Sequence, residues 1–188
     1  MPPEPALVLR ALVSPASRFI EDRCAVPSSR MALGLAMRTR TAYQFPIAQI
    51  FTLALRERAS LCDAVAENVE LALHEAVANA IVHGNLGIGS EERNSLEGFG
   101  RFCREVVMRL ADPAAAARPV VLTAWWSDRW LLVGVRDQGR GFVLGSDRDT
   151  GEAAHGRGIH FMHELAERVS WNQRHRRLVL TFRQPKGL

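Results

Sequence analysis

Glu75, Asn79 and His83 recur every four residues in the stretch LHEAVANAIVHGN (73–85), which is otherwise largely apolar. Four-residue spacing puts side chains on one face of an α-helix, so a carboxylate, an amide and an imidazole form a single polar line. At about 100° per residue, Glu67, Glu70 and His74 fall on a second polar arc, and Val65, Val69, Leu73, Ala76 and Ala80 on an apolar one. One polar arc is enough for solvent. The line through Glu75 borders the core side, where each unpaired polar group costs on the order of a few kcal/mol. A carboxylate placed there can act as a general base, and an amide oxygen can bind a hard cation. An ordinary amphipathic helix with a wide polar face gives the same pattern, so the rest of the chain has to decide.

Two glycine loops bear on it. In VGVRDQGRGF, Asp137 ends a strand-like run and Gly139 and Gly141 follow it. An aspartate there can accept a hydrogen bond from an exocyclic amino group, and glycines let backbone approach a flat ligand closely; a plain turn is built the same way. In HGRGIHFMHELAERV, Gly156 and Gly158 stand just before a helical pattern. Free N–H groups and the helix dipole make such a start suited to phosphate, although a simple N-terminal loop has the same sequence. His155, His160 and His163 straddle that helix start and do not gather three zinc ligands on one face.

The elements that would position these residues follow from periodicity and turn residues. Residues 1–37 are repeatedly broken by proline and read as an N-terminal extension or short helices on the main body. RTAYQFP (40–46) is strand-like, IAQIFTLALRER (47–58) has helical periodicity, and a helix is predicted from Asp63 to His83. Residues 86–118 read as an insertion or lid containing the helical patch FGRFCREVVMRLAD. PVVLTAWW and RWLLVGVRD flank Ser127 and Asp128 as a hairpin, and RVSWNQ with RRLVLTF forms a second. Trp125, Trp126 and Trp130 around the first hairpin read as packing residues.

The 188 residues fit one domain with an appendage, and 47% hydrophobic against 23% charged residues marks a folded chain. The formal charge is +4, yet Lys186 is the sole lysine, which excludes a Walker-type phosphate loop and Schiff-base chemistry. The densest basic cluster, Arg174 to Arg177, reads as a solvated hairpin tip, so no direct nucleic-acid partner is expected. Cys24, Cys62 and Cys103 form no CxxC pair and are expected to be reduced and buried. With no signal-type segment and no run of roughly 20 apolar residues, the expected place is the cytoplasm, away from any membrane.

In this order, EAVANAIVHG, DQGRGF and HGRGIHFM resemble the asparagine box and the two glycine boxes of the ATP-binding domain shared by histidine kinases, gyrase-type topoisomerases and heat-shock chaperone ATPases. Within that histidine-kinase-like ATPase superfamily, the short loops and the NAIVHG ending are most similar to the anti-sigma factor serine/threonine kinases of bacterial partner-switching systems. The resemblance covers about residues 40–188. It implies an α+β fold, a two-layer α/β sandwich with a mixed sheet and helices on one face, over a domain at 38–188 with its insertion at about 86–118.

Carried over, the resemblance gives Asn79 as the ligand of Mg²⁺ bridging the phosphates of ATP, and Glu75 as the group that activates the attacking hydroxyl. Asp137 would hold the adenine amino group, with Gly139 and Gly141 lining its pocket and His83 nearby on the asparagine box. Gly156, Arg157 and Gly158 would meet the phosphates. The implied activity is phosphoryl transfer by positioning and charge neutralisation. The implied partner is a regulatory protein, a sigma factor or an anti-anti-sigma-like substrate, and a homodimer is compatible. Alternatives are a nucleotide-gated binding module without catalysis and a catalytic fragment of a histidine kinase system. The chain lacks the family's frequent Gly-Thr at the last strand, leaving Thr181 as the only hydroxyl on offer there for an adenine contact.

Overall fold

Strands β1 (Arg18–Ile20), β2 (Leu33–Arg38), β3 (Pro119–Trp126), β4 (Trp130–Arg136), β5 (Arg168–Asn172) and β6 (Arg177–Arg183) form one mixed sheet in a computed structural model. Residues 3–14, 16, 18–21, 32–89, 95–139 and 156–184 are described. The order across the sheet is β1-β2-β3-β4-β6-β5, with β1 parallel to β2 and every other pair antiparallel. Both predicted hairpins are present as β3–β4 and β5–β6.

Alternation decides which face is covered. Leu122, Leu131, Val133, Leu178, Leu180 and Phe182 are buried toward the helices. The helical layer is α1 (Pro5–Val13), α3 (Ile47–Ala59), α4 (Asp63–Asn79) and α7 (Gly156–Leu165), which meet one another and the sheet. Phe51 of α3, Leu73 of α4 and Met162 of α7 are fully enclosed. Each such side chain contributes about 1.5–3 kcal/mol relative to exposure. The α+β class and the mixed sheet expected from the sequence are observed.

The described residues before 38 take part in this body. α1 packs on α3, and β1 and β2 extend the sheet, so the boundary expected at 37/38 falls inside β2. Leu33 to Met37 are buried without alternation, the pattern of a strand covered on both faces, which a period-of-two reading passes over.

Residues 40–46 are a correction to the sequence reading: Thr39–Gln44 is a helix, α2. Its start is capped from a distance. Glu21 accepts the backbone N–H of Arg38 at 2.7 Å and the Thr41 hydroxyl at 2.8 Å, and pairs with the Arg38 guanidinium at 3.3 Å. A carboxylate at the dipole's positive end favours a helix that β-branched Thr39 and Thr41 would disfavour alone.

Span 86–118 holds α5 (Leu96–Ala111) and α6 (Pro113–Ala117), each with a side-chain N-cap: Ser95 accepts from Gly98 N at 3.0 Å and Asp112 from Ala114 N at 3.0 Å. The cysteine expectation is also corrected. Cys62 and Cys103 are free but exposed, the first at the N-cap of α4 and the second on the open side of α5; Cys24 lies outside the described residues. Among the described residues no helix is long and apolar enough to cross a membrane.

On the sheet face away from the helices, Trp125 carries the Arg177 guanidinium 4.5 Å above its ring. Arg177 crosses Gly134, where a Cβ would come within 3.2 Å of its Cδ. Trp130 keeps 38% of its surface exposed.

Candidate functional site

Helix α4 does not stop at Asn79. It continues as a π-helical turn, Ala80–Asn85, in which Leu86 N–H bonds to Ile81 O at 2.9 Å. Such turns place more residues in one winding than an α-helix does and recur at functional sites. The core arc of α4 is Ala66, Val69, Ala72, Leu73, Ala76 and Val77, so Glu75 and Asn79 stand at its edge, half-buried. Neither side chain hydrogen-bonds or ion-pairs within the described residues. A half-buried carboxylate and amide left open side by side are costly unless something else meets them.

What faces them is the start of α7. A Cβ built on Gly158 would lie 2.9 Å from Glu75 Oε2 and 3.6 Å from Asn79 Nδ2. Gly158 and the polar line of α4 therefore meet. Gly156 and Arg157 are the first two residues of α7, in the turn where backbone N–H groups lack intrahelical partners.

Asp137 comes to the same wall from β4. Its Oδ1 accepts Gly139 N–H at 2.6 Å, closing a tight turn, and the turn is pressed on the end of α4. A Cβ on Gly84 would sit 2.5 Å from Asp137 Cγ, and one on Gly139 would meet Gly84 backbone at 2.6 Å. Only two facing glycines allow this approach. Exchanging Gly84 for Ala is thus expected to push the carboxylate aside and weaken ligand binding here by about 10²-fold, the usual scale of a 1 Å misplacement. Gly89→Ala, at a position open to space, is the matched control with unchanged affinity, and calorimetric titration reads both.

Burial raises the Asp137 pKa above its ordinary value; the Gly139 N–H, then Arg176 and Arg136, pull it down and only partly compensate. Arg176 also donates to Gly139 O at 2.7 Å, from a left-handed backbone with φ 48° at the β5–β6 tip. The tip read as solvated therefore braces the turn, and a run of four basic residues gives no hint which one folds back.

His83 Nδ1 donates to Ile88 O at 2.6 Å, because a carbonyl can only accept. With Asn79, Ala80, Gly84 and Asp137 it lines a cavity of about 60 Å³, closed on the other side by Ala76, Val135, Trp171 and Leu178. That space has apolar walls and one polar end, as a flat heterocycle carrying an amino group requires. A wider cavity of about 610 Å³ shares His83 and Gly84 and adds Gly139, Arg109 and Arg118. A third, about 490 Å³ and mostly apolar, lies between α2, α3 and the Leu71, His74 and Val77 side of α4, away from Asn79 and Asp137. Tyr43, Gln49, Glu70 and His74 also line it, but the smaller cavity is the one that joins Asn79 and His83 of the α4 line to Asp137, and so is the better candidate.

Thr181 is not part of the wall. In β6 it alternates with buried Leu180 and Phe182 and pairs with Leu132, placing it on the opposite face; Leu178 occupies the cavity side. Gly141 and the segment 140–155, with His155, lie outside the described residues. Asn85 was missed by the sequence reading. It is a fully buried amide that ties this region together, and at the end of a helical pattern it reads as an ordinary cap.

A family model described as histidine kinase-like ATPase domain matches residues 103–184. The matched stretch runs from α5 to β6 and contains Asp137, Gly139 and the start of α7, while Glu75, Asn79 and His83 precede it. No curated protein matches the chain. The match supports the histidine-kinase-like ATPase superfamily, with which the mixed sheet and its helices are consistent, and a domain of this kind implies nucleotide binding and phosphotransfer-type chemistry.

Proposed function

We propose that the chain is an ATP-binding serine/threonine protein kinase of the anti-sigma-factor type, acting in the cytoplasm on a regulatory protein of a partner-switching pathway. The observation that supports it most is the pair Glu75 and Asn79. A carboxylate and an amide, half-buried and without partners among the described residues, lie against Gly158 in the first turn of α7 beside the Asp137 cavity.

In this reading Asp137 accepts the adenine amino group, and Val135 and Leu178 cover the ring. The triphosphate runs toward Gly156, Arg157 and Gly158, where backbone N–H groups and the helix dipole favour its charge. Glu75 takes the proton of the acceptor hydroxyl as its oxygen bonds the γ-phosphorus, while the bond from that phosphorus to the bridging oxygen breaks and ADP leaves. The acceptor is a serine or threonine of the partner, so the product phosphate is acid-stable.

Asn79 fits Mg²⁺. Its amide has no partner among the described residues, and an amide oxygen suits a hard cation, so Asn79 would be the side chain that holds it. Bound magnesium would neutralise phosphate charge as it moves to the leaving group. Asn79→Ala is expected to lower ATP affinity about tenfold in Mg²⁺, the scale of one contact to a charged group, and to change metal-free affinity little. Calorimetry with and without chelator tests this, and equal losses in both would remove Asn79 from the metal.

A further inference from the structure

Asn85 is fully buried, and every polar atom of its side chain is used. Nδ2 donates to Thr39 Oγ1 at 2.7 Å and to Pro119 O at 3.1 Å, and Oδ1 accepts Gln138 N–H at 2.7 Å. Its own carbonyl accepts from Arg118 Nη1 at 2.5 Å. Pro119 O can only accept and Gln138 N–H can only donate, so the amide has one admissible orientation. Thr39 Oγ1 already donates to Arg118 O at 2.7 Å, which leaves it an acceptor toward Asn85.

These bonds join two different things. Thr39, Pro119 and Arg118 belong to the frame, at the starts of α2 and β3. Gln138 is the residue after Asp137, in the turn that carries the half-buried carboxylate. The π-helical turn brings Asn85 to this junction, one residue beyond the Gly84 on which the turn rests. No other side chain of this size offers two donors to the frame and one acceptor to the turn. Aspartate has no donor for Pro119 O, leucine leaves three groups unpaired, and serine is too short to span them.

We propose that Asn85 is a positioning residue for base recognition: it fixes the Asp137–Gly139 turn to the frame, so that the carboxylate meets the exocyclic amino group of a purine without rearrangement. The inference rests on the nucleotide reading above. Its sign is a loss of selectivity rather than a uniform loss of affinity, because a displaced carboxylate no longer separates an amino group from a carbonyl at the same ring position.

The test compares ATP with inosine triphosphate, which carries a carbonyl in place of the amino group. The wild type is expected to prefer ATP by about 10²-fold or more. Asn85→Ala should cut that preference at least about tenfold while affinity for inosine triphosphate stays nearly constant. Ser95→Ala removes the N-cap of α5, which shares no bond with Asn85 or the turn; it should lower Tm and keep the preference. An unchanged preference in Asn85→Ala overturns the inference, whereas a wild type that shows no preference for ATP sinks the nucleotide reading, and this inference with it. Should Asn85→Ala fail to fold, amide exchange in the nucleotide-free wild type decides: a protected Gln138 N–H supports the brace, and a freely exchanging one contradicts it.

Discussion

Asp137→Asn is expected to lose ATP and gain stability at once. The side chain keeps its shape, and its Oδ1 can still accept Gly139 N–H, so the turn survives. In the proposed reading, what is lost is the charged acceptor for the adenine amino group, and the new amide nitrogen presents a donor to a donor. Loss of one hydrogen bond to a charged group, with an unpaired buried donor left behind, weakens ATP binding by about 10–100-fold.

The stability gain follows from the raised pKa. A group whose folded-state pKa lies above its unfolded value stabilises the fold when protonated; that contribution is complete below the unfolded pKa and is lost as pH rises through the folded one. At neutral pH the Asp137 carboxylate is therefore a net cost, because desolvation outweighs the Gly139 N–H, Arg176 and Arg136. The asparagine variant should melt higher than wild type at neutral pH, with the difference shrinking in acid. ATP affinity of the wild type should fall in the opposite sense, as pH drops through the raised pKa and the acceptor is protonated. Thermal melts across pH beside ATP titrations check both signs. A variant that loses ATP and also melts lower at neutral pH would contradict the electrostatic account of this turn.

Glu75→Gln should separate binding from chemistry. The amide preserves the contact with Gly158 and removes a negative charge from the space where the triphosphate would run, so ATP affinity should be equal or tighter. Proton transfer is lost. Turnover of ATP to ADP, with water in place of the acceptor hydroxyl, should drop about 10²–10⁴-fold, the contribution of a positioned general base. Equal turnover by the two proteins would remove Glu75 from the chemistry and favour a binding module gated by nucleotide.

Much of this architecture was legible because it is local. Helix α4 shows its apolar arc within its own 17 residues, and β3–β4 and β5–β6 are adjacent runs joined by turn residues. The line Glu75, Asn79, His83 needed only helical spacing. The features that escaped depend on distant partners. Helix α2 takes its cap from Glu21, and β2 is buried on both faces, so neither carries its own signal. Asn85 looks like any asparagine closing a helix until Thr39, Pro119 and Gln138 surround it. Thr181 keeps the right chemistry on the wrong face, because strand register is set by pairing with β4 and not by residue type. The exposure of Cys62, at the start of α4, and of Cys103, within α5, depends on which side of its helix the core lies, which residue type does not encode.

The central claim is that nucleotide enters between α4, the Asp137 turn and α7. Backbone amide shifts of the labelled protein, followed as Mg·ATP is added, test it residue by residue. The account predicts that changes concentrate at Asn79 to Gly84, Gln138 to Gly139 and Gly156 to Gly158, while Tyr43, Leu71 and His74 around the apolar groove stay still. Shifts centred on that groove, or none at any concentration of Mg·ATP, would contradict it.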